Sequence, residues 1–394
     1  MIEPMTYFGT FWIPNNEGKK MFGTYTYKED GSSIIEIHID ENDDVPSKCA
    51  VLFGEITGKH KITFFDVNAM IRKTSYISYS VKYALTGIHL SSLEENIFDR
   101  CTIRYQHLNS WIRSNCKLGI METEKETDVL WYDIYKDDDI TVSLHWSVEE
   151  SIVPFYSCEL KKVYYISFNT LKNTSVCKFV ELVTEITQLL SFILQSEQYP
   201  QKIIFKNVYS LLFNVKKSQQ PKSFPLIPFE IFKDKMSSIY NNWHNLFSHL
   251  SPIYRYYFNT LSNGGDFDVP DFITVAQALD GYHKRFINKK DGRDIRQYPQ
   301  QLKQLLDIFD DVEVIKKCNI DTSIFAKLRH GYVHLYPEEE QQITISSKDL
   351  YALTQKGIVL LTCCFLHLLG LNNQEINICF QKNKSYYIIL ENCK

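Results

Sequence analysis

The 394-residue chain has no C-x-x-C pair; its ten cysteines are scattered at Cys49, Cys101, Cys116, Cys158, Cys177, Cys318, Cys363, Cys364, Cys379 and Cys393. Such spacing supplies no disulfide framework, and the thiols read as reduced side chains of a cytoplasmic protein. A basic surplus is missing too. The 43 Lys and Arg are outnumbered by 47 Asp and Glu, a formal charge of -4, which excludes a protein that coats nucleic acid indiscriminately but leaves room for one local basic surface. Met1–Tyr7 shows no basic region followed by an apolar run, so no secretory signal is read there. No window reaches the roughly 20 apolar residues of a membrane span. The most apolar one, 357–371, contains His367 and two cysteines and is expected to be a buried helix, with no membrane partner.

What is present belongs to a globular protein: 44% apolar and 23% charged residues, with 25 Tyr and 25 Phe. The length suits two domains, each with its own core. The fold class expected is α+β, an antiparallel β-rich domain followed by an all-α bundle, divided as 1–222 and 223–394. From Tyr7 to about Tyr165 the apolar period is mostly two, as in Ile34-Ile35-Glu36-Ile37-His38-Ile39, Lys61-Ile62-Thr63-Phe64-Phe65 and Tyr76-Ile77-Ser78-Tyr79-Ser80-Val81. Turn residues at 15–18, 29–32 and 136–139 separate these strands at sandwich-like or barrel-like spacing. Over Val176–Gln195 the period lengthens to that of one helix, which closes the domain; a strand at Lys202–Phe205 follows, and then a polar linker over 216–223.

Beyond Pro228 the pattern predicts helices over 229–261, 270–288, 297–310, 321–335 and 347–370, and a terminal hairpin from Ile376–Phe380 and Tyr386–Leu390. One stretch carries chemistry: Leu328-Arg329-His330-Gly331-Tyr332-Val333-His334-Leu335-Tyr336-Pro337. Arg329 and His334, five residues apart, lie about 140° apart on a helix and flank one groove. Metal-free RNA cleavage needs proton transfer at the 2′-hydroxyl and the 5′-oxygen plus positive charge on the phosphorane. Histidine supplies the first near neutral pH and arginine the second as a permanent forked cation. Gly331 costs about 1 kcal/mol relative to Ala and suggests close approach to the backbone, and Pro337 stops the helix. Two other readings fit the same residues: favourable placement of cations at a helix end, and a zinc clamp from His330 and His334 at i, i+4, which lacks a glutamate and an obvious third ligand.

Around these motifs the chain resembles the ApeA family of bacterial anti-phage defence proteins. In the first half the resemblance rests on Gly9-Thr10-Phe11-Trp12-Ile13-Pro14, Gly23-Thr24-Tyr25, Gly54-Glu55-Ile56-Thr57-Gly58 and Arg104 to Ile112. In the second it rests on Ala278-Leu279-Asp280-Gly281-Tyr282-His283-Lys284-Arg285, similar to a Leu-Glu-x-Tyr-His-Arg helix, and on Arg329 to His334, similar to an R-x4-H element. Asp280 stands where the family pattern has Glu, and His330 where many HEPN proteins have Asn. The resemblance implies a metal-independent HEPN endoribonuclease without cofactor, acting as a homodimer or higher homo-oligomer. It also implies tRNA as the RNA substrate, cut to stall translation in infected cells, with a phage-protein trigger sensed by the N-terminal domain.

The catalytic candidates are Arg329, His334 and His330, with Tyr332, Asp280 and His283 in support. Asp280 sits one helical turn from His283, which it could orient, or it could pair with Arg329 across the bundle. Lys284, Arg285, Lys289, Lys290 and Arg293 form the densest basic run and are the candidates for RNA backbone contact, against the plainer reading of a solvated loop. The alternative function is a non-catalytic HEPN scaffold for dimerisation or RNA binding.

Overall fold

A computed structural model describes residues 5–28, 31–40, 45–58, 60–113, 131–153, 157–213, 224–262, 268–288, 295–335, 345–383, 386 and 391. The chain divides into two compact units, Met1–Gln188 with Gln198–Gln219, and Leu189–Glu197 with Gln220–Lys394.

The first unit is antiparallel β, as its period-two patterning requires. Six strands come first: β1 (Met5–Trp12), β2 (Met21–Tyr27), β3 (Ser33–His38), β4 (Lys48–Ile56), β5 (His60–Arg72) and β6 (Tyr76–Thr86). They run in the order β3-β2-β1-β4-β5-β6, and β3 pairs back onto β6, closing a barrel. Inward positions carry Phe11, Tyr25, Ile35, Ile37, Ile62, Phe64, Ile77 and Tyr79, all buried in one cluster. Gly9 pairs with Gly23 where the strands crowd, and a Cβ on either would run into the backbone of Glu55 or Glu36; only glycine permits that approach.

Beyond β6 the sheet continues through β12 (Tyr209–Phe213), β11 (Pro200–Phe205), β7 (Phe98–Tyr105), β10 (Ser157–Thr174), β9 (Ile140–Val153) and β8 (Trp131–Lys136). One face of this part packs on α2 (Val176–Leu194): Phe179 meets the Phe205 ring at 5.7 Å, and the Tyr105 and Thr187 hydroxyls lie 2.7 Å apart. The expected strands at 34–39, 61–65, 76–81 and 202–205 and the helix at 176–195 are all present. That helix does not close the unit, because β11 and β12 return to the sheet after it. A short helix, α1 (Leu108–Arg113), was not anticipated. The linker at 216–223 and the turn residues Glu29 and Asp30 lie outside the described residues.

The second unit is helical: α3 (Phe229–Ser262), α4 (Val269–Tyr282) running into a π-helical turn (His283–Ile287), α5 (Tyr298–Ile308), α6 (Glu313–Cys318), α7 (Thr322–Val333), α8 (Ser347–Leu368) and α9 (Asn373–Lys382). Five match the expected spans; α6 was not expected. α8 is long and apolar enough to cross a membrane by length and composition, yet 78% of its apolar window is buried inside the protein, so it is the core helix that its interrupting His367 implied. The terminal hairpin is overturned. Ile376–Phe380 lies within α9, started by a capping box in which Asn372 and Glu375 satisfy each other's backbone N–H groups. Tyr387–Leu390 lies outside the described residues.

Candidate functional site

The Arg329 to His334 segment forms the C-terminal half of α7. The helix starts at Asp321, whose carboxylate accepts from the backbone N–H groups of Ser323 and Ile324. Buried Phe325 and Leu328 fix its inner face. Arg329 then falls beside that face, and three elements converge on it. Its Nη2 donates to Asp280 Oδ2 of α4 at 3.0 Å, and its guanidinium lies 4.5 Å from the centroid of the Tyr298 ring of α5. The Asp280 side chain is only 13% exposed and that of Arg329 27%, so the pair is screened weakly. Lys284, one turn beyond Asp280, donates to the same carboxylate oxygen at 2.9 Å. The Arg329 Nε is buried and has no hydrogen-bond partner among the described residues. The Tyr298 hydroxyl donates to Ala276 O at 2.9 Å; burial pushes its phenol above the usual range, and the Arg329 cation opposes that rise.

His334 closes the helix as its C-cap, with φ -90° and ψ 0°, its N–H donating to His330 O. The next residue, Leu335, turns the chain at φ 53°. Both histidines are exposed, with ring centroids 4.5 Å apart and planes crossing at 65°. Tyr332 packs edge-on against Phe272 of α4 at 6.1 Å and so anchors the last turn. Pro337 lies outside the described residues. For the zinc reading a third donor is needed, and among the described residues no group of three or more His, Cys, Asp and Glu side chains gathers.

The choice left open for Asp280 is decided by geometry. It pairs with Arg329 and not with His283, which is fully buried at the start of the π turn with Nε2 2.7 Å from Gln304 Oε1 of α5. His283 therefore belongs to the interior, away from the exposed His330 and His334. Of the basic run, Lys284 is tied to Asp280, and Arg285 donates to the His249 carbonyl of α3 at 2.7 Å. Lys289, Lys290 and Arg293 lie outside the described residues. Tyr298 was missed from sequence: a Tyr-Pro pair opening a helix reads as a helix start, and nothing local ties it to an arginine on another helix.

Residues 6–243 match the family model for ApeA N-terminal domain 1, more than half of the chain, and residues 273–375 match Apea-like HEPN. The chain belongs to the ApeA family. No curated protein and no solved structure matches it. The HEPN match spans α4 from Ile273 through the early part of α9, and so contains Asp280, Tyr298, Arg329 and His334 together. HEPN domains are generally ribonucleases, and the match supports an RNA-related role in ApeA-type defence.

Proposed function

We propose that the HEPN domain is a metal-independent endoribonuclease that cuts tRNA and so blocks translation during phage infection. The observation that carries this reading is a fixed cation on the same helix as two exposed imidazoles: Arg329 is held by Asp280 and Tyr298, His330 follows it directly, and His334 lies five residues on with its ring 4.5 Å from that of His330. In this mechanism His334 takes the proton from a ribose 2′-hydroxyl, or delivers one to the leaving 5′-oxygen. The 2′-oxygen attacks phosphorus, the bond to the 5′-oxygen breaks, and a 2′,3′-cyclic phosphate and a 5′-hydroxyl result. Arg329 stabilises the added negative charge, His330 assists the proton transfers and Tyr332 holds the turn. Two copies pair through their HEPN helices, in the cytoplasm, and the domain of residues 1–222 senses a phage protein and restrains domain 223–394 until it arrives.

The test is cleavage of total bacterial RNA in EDTA by the wild type and by an Arg329→Ala, His334→Ala variant. Discrete tRNA fragments from the wild type alone are expected, and His334→Ala alone is expected to slow cutting by about 10²–10⁴-fold. Equal cleavage by wild type and variant overturns the assignment. One observation favours a scaffold instead: the Arg329 guanidinium already has a carboxylate and a ring as partners, as a structural arginine would. In that case Arg329→Ala lowers the melting temperature and no RNA is cut under any trigger.

A further inference from the structure

On the first unit, the outer wall of the barrel is patterned with threonine: Thr6, Thr10, Thr24 and Thr26 alternate with the inward residues of β1 and β2. Two phenylalanines break that pattern. Phe8 and Phe22 stand 71% and 72% exposed. Register places Phe8 opposite Thr24 and Phe22 opposite Thr10, with Gly9 opposite Gly23 between them. The two rings thus hold diagonal positions, about 7–8 Å apart across the strand pair, and at such exposure neither covers the other. With Glu55 of β4 and His38 of β3 they line a cavity of about 610 Å³, within the size range of ligand pockets.

We propose that this cavity captures one aromatic side chain of a protein partner, its ring slotted between Phe8 and Phe22. Width favours that occupant. Carbon atoms pack best at about 3.5–4.0 Å, so two side chains about 7–8 Å apart leave room for one planar ring between them. Charge points the same way. Among the described residues no lysine or arginine lines the cavity, so a nucleotide would bring phosphate with nothing to neutralise it. The one carboxylate in the walls, Glu55, lies 3.8 Å from Lys20 Nζ, and Lys61 stands opposite it on β5, so a cationic ligand would meet a charge already balanced. Lys20 itself is drawn over the Trp12 ring at 4.2 Å. A neutral ring with one N–H or O–H on its edge fits these walls: its faces stack on phenylalanine, and the Thr10 and Thr24 hydroxyls and Glu55 offer acceptors. Aromatic side chains seated in pockets are the usual anchors of protein interfaces.

The proposal stands apart from the nuclease reading, and its test needs no cleavage. Saturation-transfer NMR on the full chain uses N-acetyl-tryptophanamide as the probe, with N-acetyl-leucinamide and adenosine in parallel. Saturation of the indole protons alone is expected. Phe8→Ala and Phe22→Ala are each expected to weaken binding about two- to tenfold, the worth of one aromatic pair. The double variant is expected to abolish the signal, and Phe8→Tyr to keep it. Leu171→Ala, at an 80% exposed position elsewhere on the unit, is expected to change nothing. Because both phenylalanines lie in solvent, the melting temperature is expected to hold in every variant. Equal saturation of the leucinamide would reduce the cavity to an unselective apolar patch, and stronger saturation of adenosine would assign it to a nucleobase. Either result overturns the proposal, as does indole binding that is absent or indifferent to both alanine variants.

Discussion

Asp280 takes two cations on one oxygen, Arg329 from across the bundle and Lys284 from its own helix, so the cluster keeps one net positive charge. Removing the carboxylate leaves a poorly exposed guanidinium whose Nε already has no partner among the described residues. Asp280→Ala is expected to cost about 2 kcal/mol in chemical denaturation, somewhat below a fully buried pair, and to abolish cleavage. Asp280→Glu, which restores the family pattern, is expected to recover both. At this scale the sequence was legible where partners are local: Arg329, His330 and His334 share one helix, and their spacing alone places them. Asp280 was legible only as two alternatives, because a carboxylate one turn from a histidine and one facing an arginine look alike along the chain. Tyr298 was not legible at all, since the contact joins two helices. Within the basic run, the bond from Arg285 to a carbonyl of α3 was not legible for the same reason.

At the level of elements, periodicity was decisive where it was long. α8 has a wide apolar face buried on nearly every side, and Gly357 lets it approach its neighbours: a Cβ there would stand 2.8 Å from Val275 Cγ1 and 3.2 Å from Phe325. Gly357→Val is therefore expected to destabilise the second unit by about 1–3 kcal/mol through overpacking, read as a lower denaturation midpoint. Short segments were harder. Ile376, Ile378 and Phe380 alternate as a strand would, yet the buried residues are Ile376, Cys379 and Phe380, while Ile378 is exposed. Spacing of three and four marks a helix face, and the cap decides between the two patterns. Asn372→Ala is expected to cost about 1 kcal/mol, measured as a shift in melting temperature.

For the whole molecule, His145 contributes an acid response through the first unit, because burial and the nearby Arg100 lower its pKa. The folded state holds His145 unprotonated down to about pH 4, whereas an unfolded chain takes the proton near the usual 6.5. The unfolded state thus binds more protons between those values, so this contribution is present above pH 6.5 and is lost as pH falls toward 4. Urea unfolding at pH 7.5 and pH 4.5 is expected to show the loss, and His145→Phe to shrink it. The α+β class and the barrel-like strand spacing were readable from period changes along the chain, but the order of the described strands was not. β7 lies between β10 and β11, a pairing set by contacts far apart in sequence.

α2 holds one more consequence. Its last turn belongs to the helical unit, where Phe192 is fully buried against Tyr257 and Phe365, Ile193 O accepts from Leu226 N, and Gln195 Oε1 accepts from the Tyr386 hydroxyl. A genetic crossover within residues 216–223, the polar stretch that looks made for shuffling, would hand the helices to a new N-terminal neighbour without the phenylalanine that fills their interior. The two halves are therefore poor material for recombination as separate cassettes, and selection has reason to pass them on as one indivisible piece of coding sequence.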